Sequence, residues 1–328
     1  MSRSNSPNER GLSTSAALKS GKYQKKDLYE ITLINLAPPY LEYEYFKDCT
    51  QLPFRYESTR FDIVNAWWLI EAATLVYANK EFATETFNKY AGFREIEYFD
   101  GKATQCYAAS NDKFTIVAFR GSEARLREGD ANFGYIFADW LANFNFAPEM
   151  WEKRGNVHRG FKGALDEVWH DLEDHISYQQ RKNRKIWMTG HSLGAALATL
   201  ASDRYGNVQG LYTYGSPRVG DRNFKEDFNV NAYRFVNHSD IVTKVPPASM
   251  YCHVGELKYI DRDGILHDHI RRREKWTDEI QDQFNNIFDA VNHTRKGFSE
   301  ALLEPIVDHV PTRYGIHIWN NIVQEGAE

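Results

Sequence analysis

The stretch Gly190-His191-Ser192-Leu193-Gly194 sets one hydroxyl between two glycines. A serine hydroxyl becomes a nucleophile when a base takes its proton, and the base works best when a carboxylate fixes its tautomer and stabilises the imidazolium. Glycine on both sides lets the chain turn tightly around the serine without neighbouring side chains colliding. The spacing is that of G-x-S-x-G, whose structural context is a strand before the serine and a helix after it. Both are legible here: Lys185 to Thr189 is an apolar, strand-like run, and Ser192 to Tyr205 is rich in the small helix formers that let a helix lie close to a sheet.

In a strand-turn-helix site of this kind the partners follow in the order serine, acid, histidine. The acid is therefore sought after Ser192. Asp240, in "YRFVNHSDIVTKVPP", falls just past a predicted strand, on the edge where parallel sheets build their sites. Asp203, Asp221 and Asp227 lie in or beside helices and turns and read as solvated carboxylates. The later histidines are His238, His253, His267, His269, His293, His309 and His317. His267 and His269 open a charged segment that reads as an exposed helix, whereas His309, in "EPIVDHVPTRYGIHIW", follows an apolar run late in the chain. Residue type alone does not choose among them. An oxyanion hole needs backbone N–H groups aimed at the developing charge. One is expected from Leu193, at the start of the helix after the nucleophile, and a second from Ser122, at the end of "KFTIVAFRGS".

These residues need a frame. Thr59 to Asn79 has apolar positions at helical spacing, and its tryptophans read as core. Lys113 to Ser122 reads as a central strand. Gly160 to Gln180 places Phe161, Leu165, Val168, Trp169, Leu172 and Ile176 on one stripe of a helix. Strands at Gly210–Tyr214 and Ala232–Val236 complete an alternation of strand and helix, which implies an α/β fold with a mostly parallel sheet and helices on both faces. After Gly255 the chain turns charged and reads as helical. Residues 1–27, polar and rich in Ser, Asn and Lys, read as a disordered tail, and residues 28–328 as one domain. No repeat at solenoid or propeller periods is present.

Composition limits the partners. The chain of 328 residues is 42% hydrophobic and carries a net charge of −5 from 40 basic and 45 acidic residues. That balance gives no footprint for nucleic acid or for an electrostatic membrane anchor, and Arg271-Arg272-Arg273 reads as a solvated face. The apolar run from Ile63 to Ala78 contains Glu71 and is too short for a transmembrane segment. Cys49, Cys106 and Cys252 are odd in number and lack metal or redox spacing. With no apolar signal-peptide region at the N-terminus, these features lead to an expectation of a cytoplasmic protein.

Taken together the motifs resemble the class 3 lipase family, the fungal-type triacylglycerol lipases of α/β-hydrolase fold. The pieces are "IVAFRGS", "DWLANF", "VHRGF", "GHSLGAALATL", "YTYGSPRVGD", "RFVNHSDIVTKVPP", "HVG" and "DHVPTRY", in the family's order. The resemblance implies Ser192 as nucleophile, Asp240 as acid, His309 as base, and Ser122 and Leu193 as oxyanion residues. It makes His191 a packing and hydrogen-bonding partner and His253 a structural residue, kept as runner-up base. The chain departs from the family in "SEARLREGDANFGYIFA", a longer and more charged stretch between Gly121 and Asp139, so a lid cannot be carried over by length. The aromatic run "FGYIFADWLANFNF" reads either as a lid or acyl-pocket wall that meets lipid, or as core.

The expected function is a serine carboxylic ester hydrolase acting on acylglycerols or related lipid esters, with transient contact to a lipid interface and with no cofactor or metal. One alternative keeps the triad and changes the substrate, as in a phospholipase A1 or a feruloyl-type esterase. Another keeps the fold without turnover, as a lipase-like binding or signalling module. If a histidine is the base, it must be neutral to work, so the rate should fall as pH drops through roughly 6 to 7. A pH–rate profile that stays flat from about pH 5 to 8 would contradict a histidine base.

Overall fold

The computed structural model describes residues 23–29, 31, 38–102, 104–121, 146–268 and 300–327. Ser122, the charged and aromatic stretches from Ser122 to Asn145, His269, His293, Arg271 to Arg273 and residues 1–22 lie outside the described residues.

The core of the molecule is one sheet of eight strands. Three form an antiparallel edge: β1 (Glu95–Asp100), β2 (Gln105–Ser110) and β3 (Phe114–Phe119). From β3 the sheet continues in parallel through β6 (Lys185–His191), β7 (Gly210–Tyr214), β8 (Ala232–Asn237) and β9 (Glu256–Ile260), and β10 (Leu266–His267) closes the far edge antiparallel to β9. A small separate pair, β4 (Pro148–Met150) and β5 (Asn156–His158), sits outside this sheet. The parallel strands are the ones that read as continuous apolar runs, because both of their faces are covered. All six residues of β3 and all five of β7 are buried.

One face is covered by α1 (Ile63–Leu75), which is buried on nearly every side, and by the C-terminal α7 (Pro311–Ala327) that packs on it. Asp62 starts α1 by accepting from the Val64 and Asn65 amides at 2.9 and 3.1 Å, which satisfies two donors that the first turn leaves open. Trp67 meets Trp319 of α7 at 5.3 Å between ring centroids, and Trp68 donates to the Leu52 carbonyl. The tryptophans are therefore core, as their spacing suggests. The other face is covered by α3 (Arg159–Arg181), whose stripe Phe161, Leu165, Val168, Leu172 and Ile176 is buried, and by α4 (Leu193–Tyr205). Two shorter helices, α2 (Lys80–Lys89) and α5 (Arg222–Asp227), flank the layers, and α6 (Glu300–Val307) leads into α7.

Several expectations change. Glu256–Ile260 is a strand, not part of a charged helix, because its short apolar side pairs with β8 while Lys258 is buried against Glu256 and Asp268 at 2.7 and 2.5 Å. His267 lies in β10, half-buried and 2.7 Å from Asp261. Asp203 is not solvated: it is buried in α4, accepts from Trp151 Nε1 at 2.7 Å and contacts Lys153. Asp221 caps α5 through the Phe224 amide, and Asp227 is exposed. The packed chain also reaches further towards the N-terminus than residue 28, since Tyr23 is edge-on to Trp319 and the Lys26 amide donates to Asn320. Among the described residues no helix is long and apolar enough to cross a membrane. All three cysteines are free.

Glu71 ties the N-terminal segment beneath the sheet. Fully enclosed in α1, it accepts from the Tyr43 hydroxyl at 2.5 Å and the Phe46 amide at 2.9 Å. Burial raises its carboxyl above the usual range. A carboxyl raised on folding contributes stability that is full below the unfolded value and is lost as pH rises through the folded one. Glu71→Ala should strand both donors and lower unfolding stability by about 1–3 kcal/mol for each, read by urea denaturation. A change below about 0.5 kcal/mol would mean that water replaces the carboxylate there.

Candidate active site

The parallel register aligns the carboxyl ends of four strands: Phe119 stands beside Gly190, His191 beside Tyr214, and Tyr214 beside Phe235. The residues singled out from sequence emerge along that edge. Ser192 occupies the one position between the end of β6 and the start of α4, with φ 60° and ψ −129°. This is a region that residues with a Cβ rarely occupy, at a cost of order 1–3 kcal/mol. It is held there by its amide, which donates to the Tyr214 carbonyl at 3.0 Å, and by its carbonyl, which accepts from Ala195 at 3.0 Å. Its hydroxyl does not cap the helix, so it is not spent on the local turn.

The flanking glycines have a steric reason. A Cβ on Gly190 would run into the Gly194 carbonyl, and one on Gly194 would run into the Phe119 carbonyl at the end of β3. The turn thus closes on itself and against the neighbouring strand.

Asp240 lies in a turn after β8 and has no solvent exposure. Its carboxylate accepts from His309 Nδ1 at 2.9 and 3.0 Å, from the Tyr314 hydroxyl at 2.6 Å and from the Val242 amide at 2.9 Å. With Nδ1 donating to the acid, the imidazole lone pair is on Nε2. Gly215, at φ 57° just after β7, lies beside this pair, and a Cβ there would come within 2.7 Å of Asp240 Oδ2 and 2.8 Å of His309 Nδ1.

The neighbours of the pair are braced in the same way. The Asp308 carboxylate accepts from the Ser239 amide at 3.1 Å and lies 3.0 Å from His238 Nδ1, while the Asp308 carbonyl accepts from Asn237 Nδ2 at 2.9 Å. Ile306 and Val310, on either side of His309, pack with Ile241, Val242 and Val245. His238, Glu304 and Asp308 bring donor atoms within 4.8 Å of one another, the one grouping among the described residues with metal-ligand geometry. Its Asp308 oxygen already receives the bonds just described, so it works as a brace between the two loops.

His191 is buried and neutral: burial, with His309 alongside, holds it well below the usual histidine range. Its Nε2 is 2.6 Å from the His309 carbonyl and its Nδ1 3.0 Å from the Tyr77 hydroxyl. His253 bonds the Thr243 carbonyl at 2.8 Å rather than Asp240, and burial together with Arg234 and Arg218 pushes it down as well. His317 lies against Gly264 and burial lowers it to about 4. Of the histidines described, His309 is the one that meets Asp240. Leu193 is the first residue of α4, so its amide belongs to the helix end where N–H groups lack intrahelical partners. The roles of Tyr314 and Tyr77 were missed from sequence, where tyrosines are common, and only the fold brings their hydroxyls to the site.

Residues 116–250 match the family model described as lipase (class 3). The lipase of Rhizomucor miehei is 32% identical over 166 residues, covering 46% of this chain and 42% of that protein. Secreted mono- and diacylglycerol lipase 1 of Fusarium solani is 33% identical over 153 residues, covering 43% and 46% respectively. The chain thus spans less than half the length of these two curated relatives. Among solved structures, lipase II from Rhizopus niveus superposes with a TM-score of 0.50 at 24% identity, over 60% of this chain and 80% of that one, a likeness in fold. The matched family segment contains Ser192 and Asp240 and ends before His309.

Tyr314 bonds both Asp240 and, through its oxygen, the Asn237 amide at 3.0 Å. Tyr314→Phe should remove a charge-assisted bond from a buried carboxylate and lower unfolding stability by about 1.5–3 kcal/mol. Denaturant unfolding at neutral pH measures this, and an unchanged midpoint would mean that the hydroxyl is dispensable.

Proposed function

We propose that this chain, which belongs to the class 3 lipase family, hydrolyses carboxylic esters of acylglycerols or related lipids through Ser192, His309 and Asp240. The observation that carries the reading is a histidine whose Nδ1 is bonded to both oxygens of a buried aspartate, on the same sheet edge as a serine in a strained strand-to-helix turn.

In this mechanism Ser192 Oγ attacks the ester carbonyl while His309 Nε2 takes its proton. Asp240 holds the ring and stabilises the imidazolium. The oxyanion is received by the amide of Leu193, at the positive end of the α4 dipole, and by that of Ser122. His309 then protonates the leaving alcohol, and a water molecule attacks the acyl-enzyme by the same route in reverse. Each oxygen of the buried Asp240 carboxyl is met by donors, which offsets its loss of solvent.

The substrate class rests on the relatives, one of which is named a mono- and diacylglycerol lipase. An acyl chain needs an apolar channel at the sheet edge, and a lipid aggregate needs an apolar surface around it. The residue types suited to that contact are those of the aromatic run from Phe133 to Phe146. A phospholipase A1 or feruloyl-type preference would use the same residues.

Ser192→Ala, Asp240→Ala and His309→Ala should each lower turnover by at least about a thousandfold. The assay is a panel of esters graded in acyl length and head group, with the folded state of each variant checked by thermal unfolding. An active His309→Ala beside an inactive His253→Ala would overturn the base assignment. A specific rate on a short ester that does not rise above its solubility limit would remove the interfacial role of the aromatic run.

A further inference from the structure

The Tyr77 hydroxyl stands where three loops of the site meet. It is 3.0 Å from His191 Nδ1 and lies tight against Gly121, where a Cβ would run into it. On the far side of the imidazole, His191 Nε2 is 2.6 Å from the His309 carbonyl. A carbonyl only accepts, so Nε2 carries the proton; the buried ring is neutral, so Nδ1 accepts from Tyr77. One arrangement of hydrogens therefore satisfies the whole chain: Tyr77 O–H to His191 Nδ1, and His191 Nε2–H to His309 O.

The placement of these groups in sequence gives the relay its interest. Gly121 immediately precedes Ser122, His191 immediately precedes Ser192, and the carbonyl is that of His309 itself. The contacts are close: a Cβ on Gly121 would run into both the Tyr77 hydroxyl and the His191 carbonyl, and the His191 and His309 rings lie 4.4 Å apart at 35°. Tyr77 follows the end of α1, an element otherwise occupied with the core.

We propose that Tyr77 is a positioning residue of the catalytic site, holding the His309 backbone through His191 and packing against the strand end at Gly121. The proposal rests on the reading of Ser192, His309 and Asp240 as a triad. Asp240 fixes His309 only at Nδ1, and a ring held at one atom can still swing about that contact. The second anchor, at the backbone of the same residue, fixes the direction of Nε2. It does so from the strand that carries the nucleophile, so base and nucleophile share one reference. Small misplacements of such groups cost about a hundredfold in rate per ångström.

The test uses the full chain with Tyr77→Phe, His191→Phe, His191→Gln and Ser192→Ala. Two readouts are taken: the rate of labelling by a soluble fluorophosphonate, and kcat and KM on a soluble short-chain aryl ester. Tyr77→Phe keeps the ring and removes one hydroxyl; it should lower the labelling rate and kcat by about tenfold or more with KM within about twofold. His191→Phe keeps the stacking and loses both bonds, and should lose more. The side-chain amide of His191→Gln can still donate to the His309 carbonyl, so this variant should recover part of that loss. A merely structural tyrosine would lower the melting temperature but leave the folded enzyme labelling at the wild-type rate, and that result overturns the proposal. Gln no better than Phe at position 191 overturns it too, and this pair decides the matter if Tyr77→Phe does not fold. Wild-type protein labelled no faster than Ser192→Ala would instead sink the triad reading itself.

Discussion

A carboxylate shut away from solvent must be surrounded by donors, or it becomes neutral or destabilises the fold by several kcal/mol. Asp240 meets this constraint with groups from three places in the chain: the amide of Val242 in its own turn, the imidazole of His309 after α6, and the hydroxyl of Tyr314 in α7. The C-terminal helices are therefore docked by the acid as much as by their apolar faces. The cluster of Ile306 and Val310 on Ile241, Val242 and Val245 brings the same two loops together without polar atoms. Polar and apolar demands point to one arrangement, and such agreement is what singles out one structure among compact alternatives.

A second constraint lies one strand away. The backbone at Ser192 is strained, and strain persists only where the surroundings over-determine it. Here they do: β6 is paired in parallel on both sides, by β3 and β7, and α4 is pressed onto the sheet through Gly194. The two constraints are joined through His191, which belongs to β6 yet bonds the carbonyl of His309. Strain at Ser192 and burial at Asp240 are thereby referred to the same strand.

Much of this was legible from sequence. The parallel strands could be read because burial on both faces demands continuous apolar runs, and α3 because its stripe repeats at helical spacing. The edge strands β1 and β10 were not, since a half-exposed edge leaves no such run; β2 is buried between β1 and β3, but its small and polar residues QCYAAS do not read as an apolar run, and in β9 the paired Lys258 mimics a solvated charge. Asp203 was misread for a related reason: a carboxylate in a helix looks solvated until Trp151, 52 positions earlier, is folded onto it. Ser192 and Asp240 follow from local pattern, because their turns are built from adjacent residues. His309 needed the resemblance, since the residue types around it do not separate it from His253. Only the fold, which carries His253 to the Thr243 carbonyl and His309 to Asp240, distinguishes them. Tyr77 and Tyr314 act at sequence separations of 114 and 74 residues from their partners; Tyr314 closes the motif "DHVPTRY", but nothing local marks either as a hydrogen-bond partner of the site.

The central claim is that a hydroxyl, a buried acid and the imidazole between them form one reacting unit that passes through an acyl-enzyme. Its most direct measurement is mass spectrometry of the protein quenched within the first turnovers of an activated acyl ester, with the modified peptide sequenced. The account predicts a single acyl adduct on Ser192, accumulating to near one equivalent and absent from Ser192→Ala. Ester turnover with no adduct on Ser192, or with the acyl group carried on another residue, would contradict it.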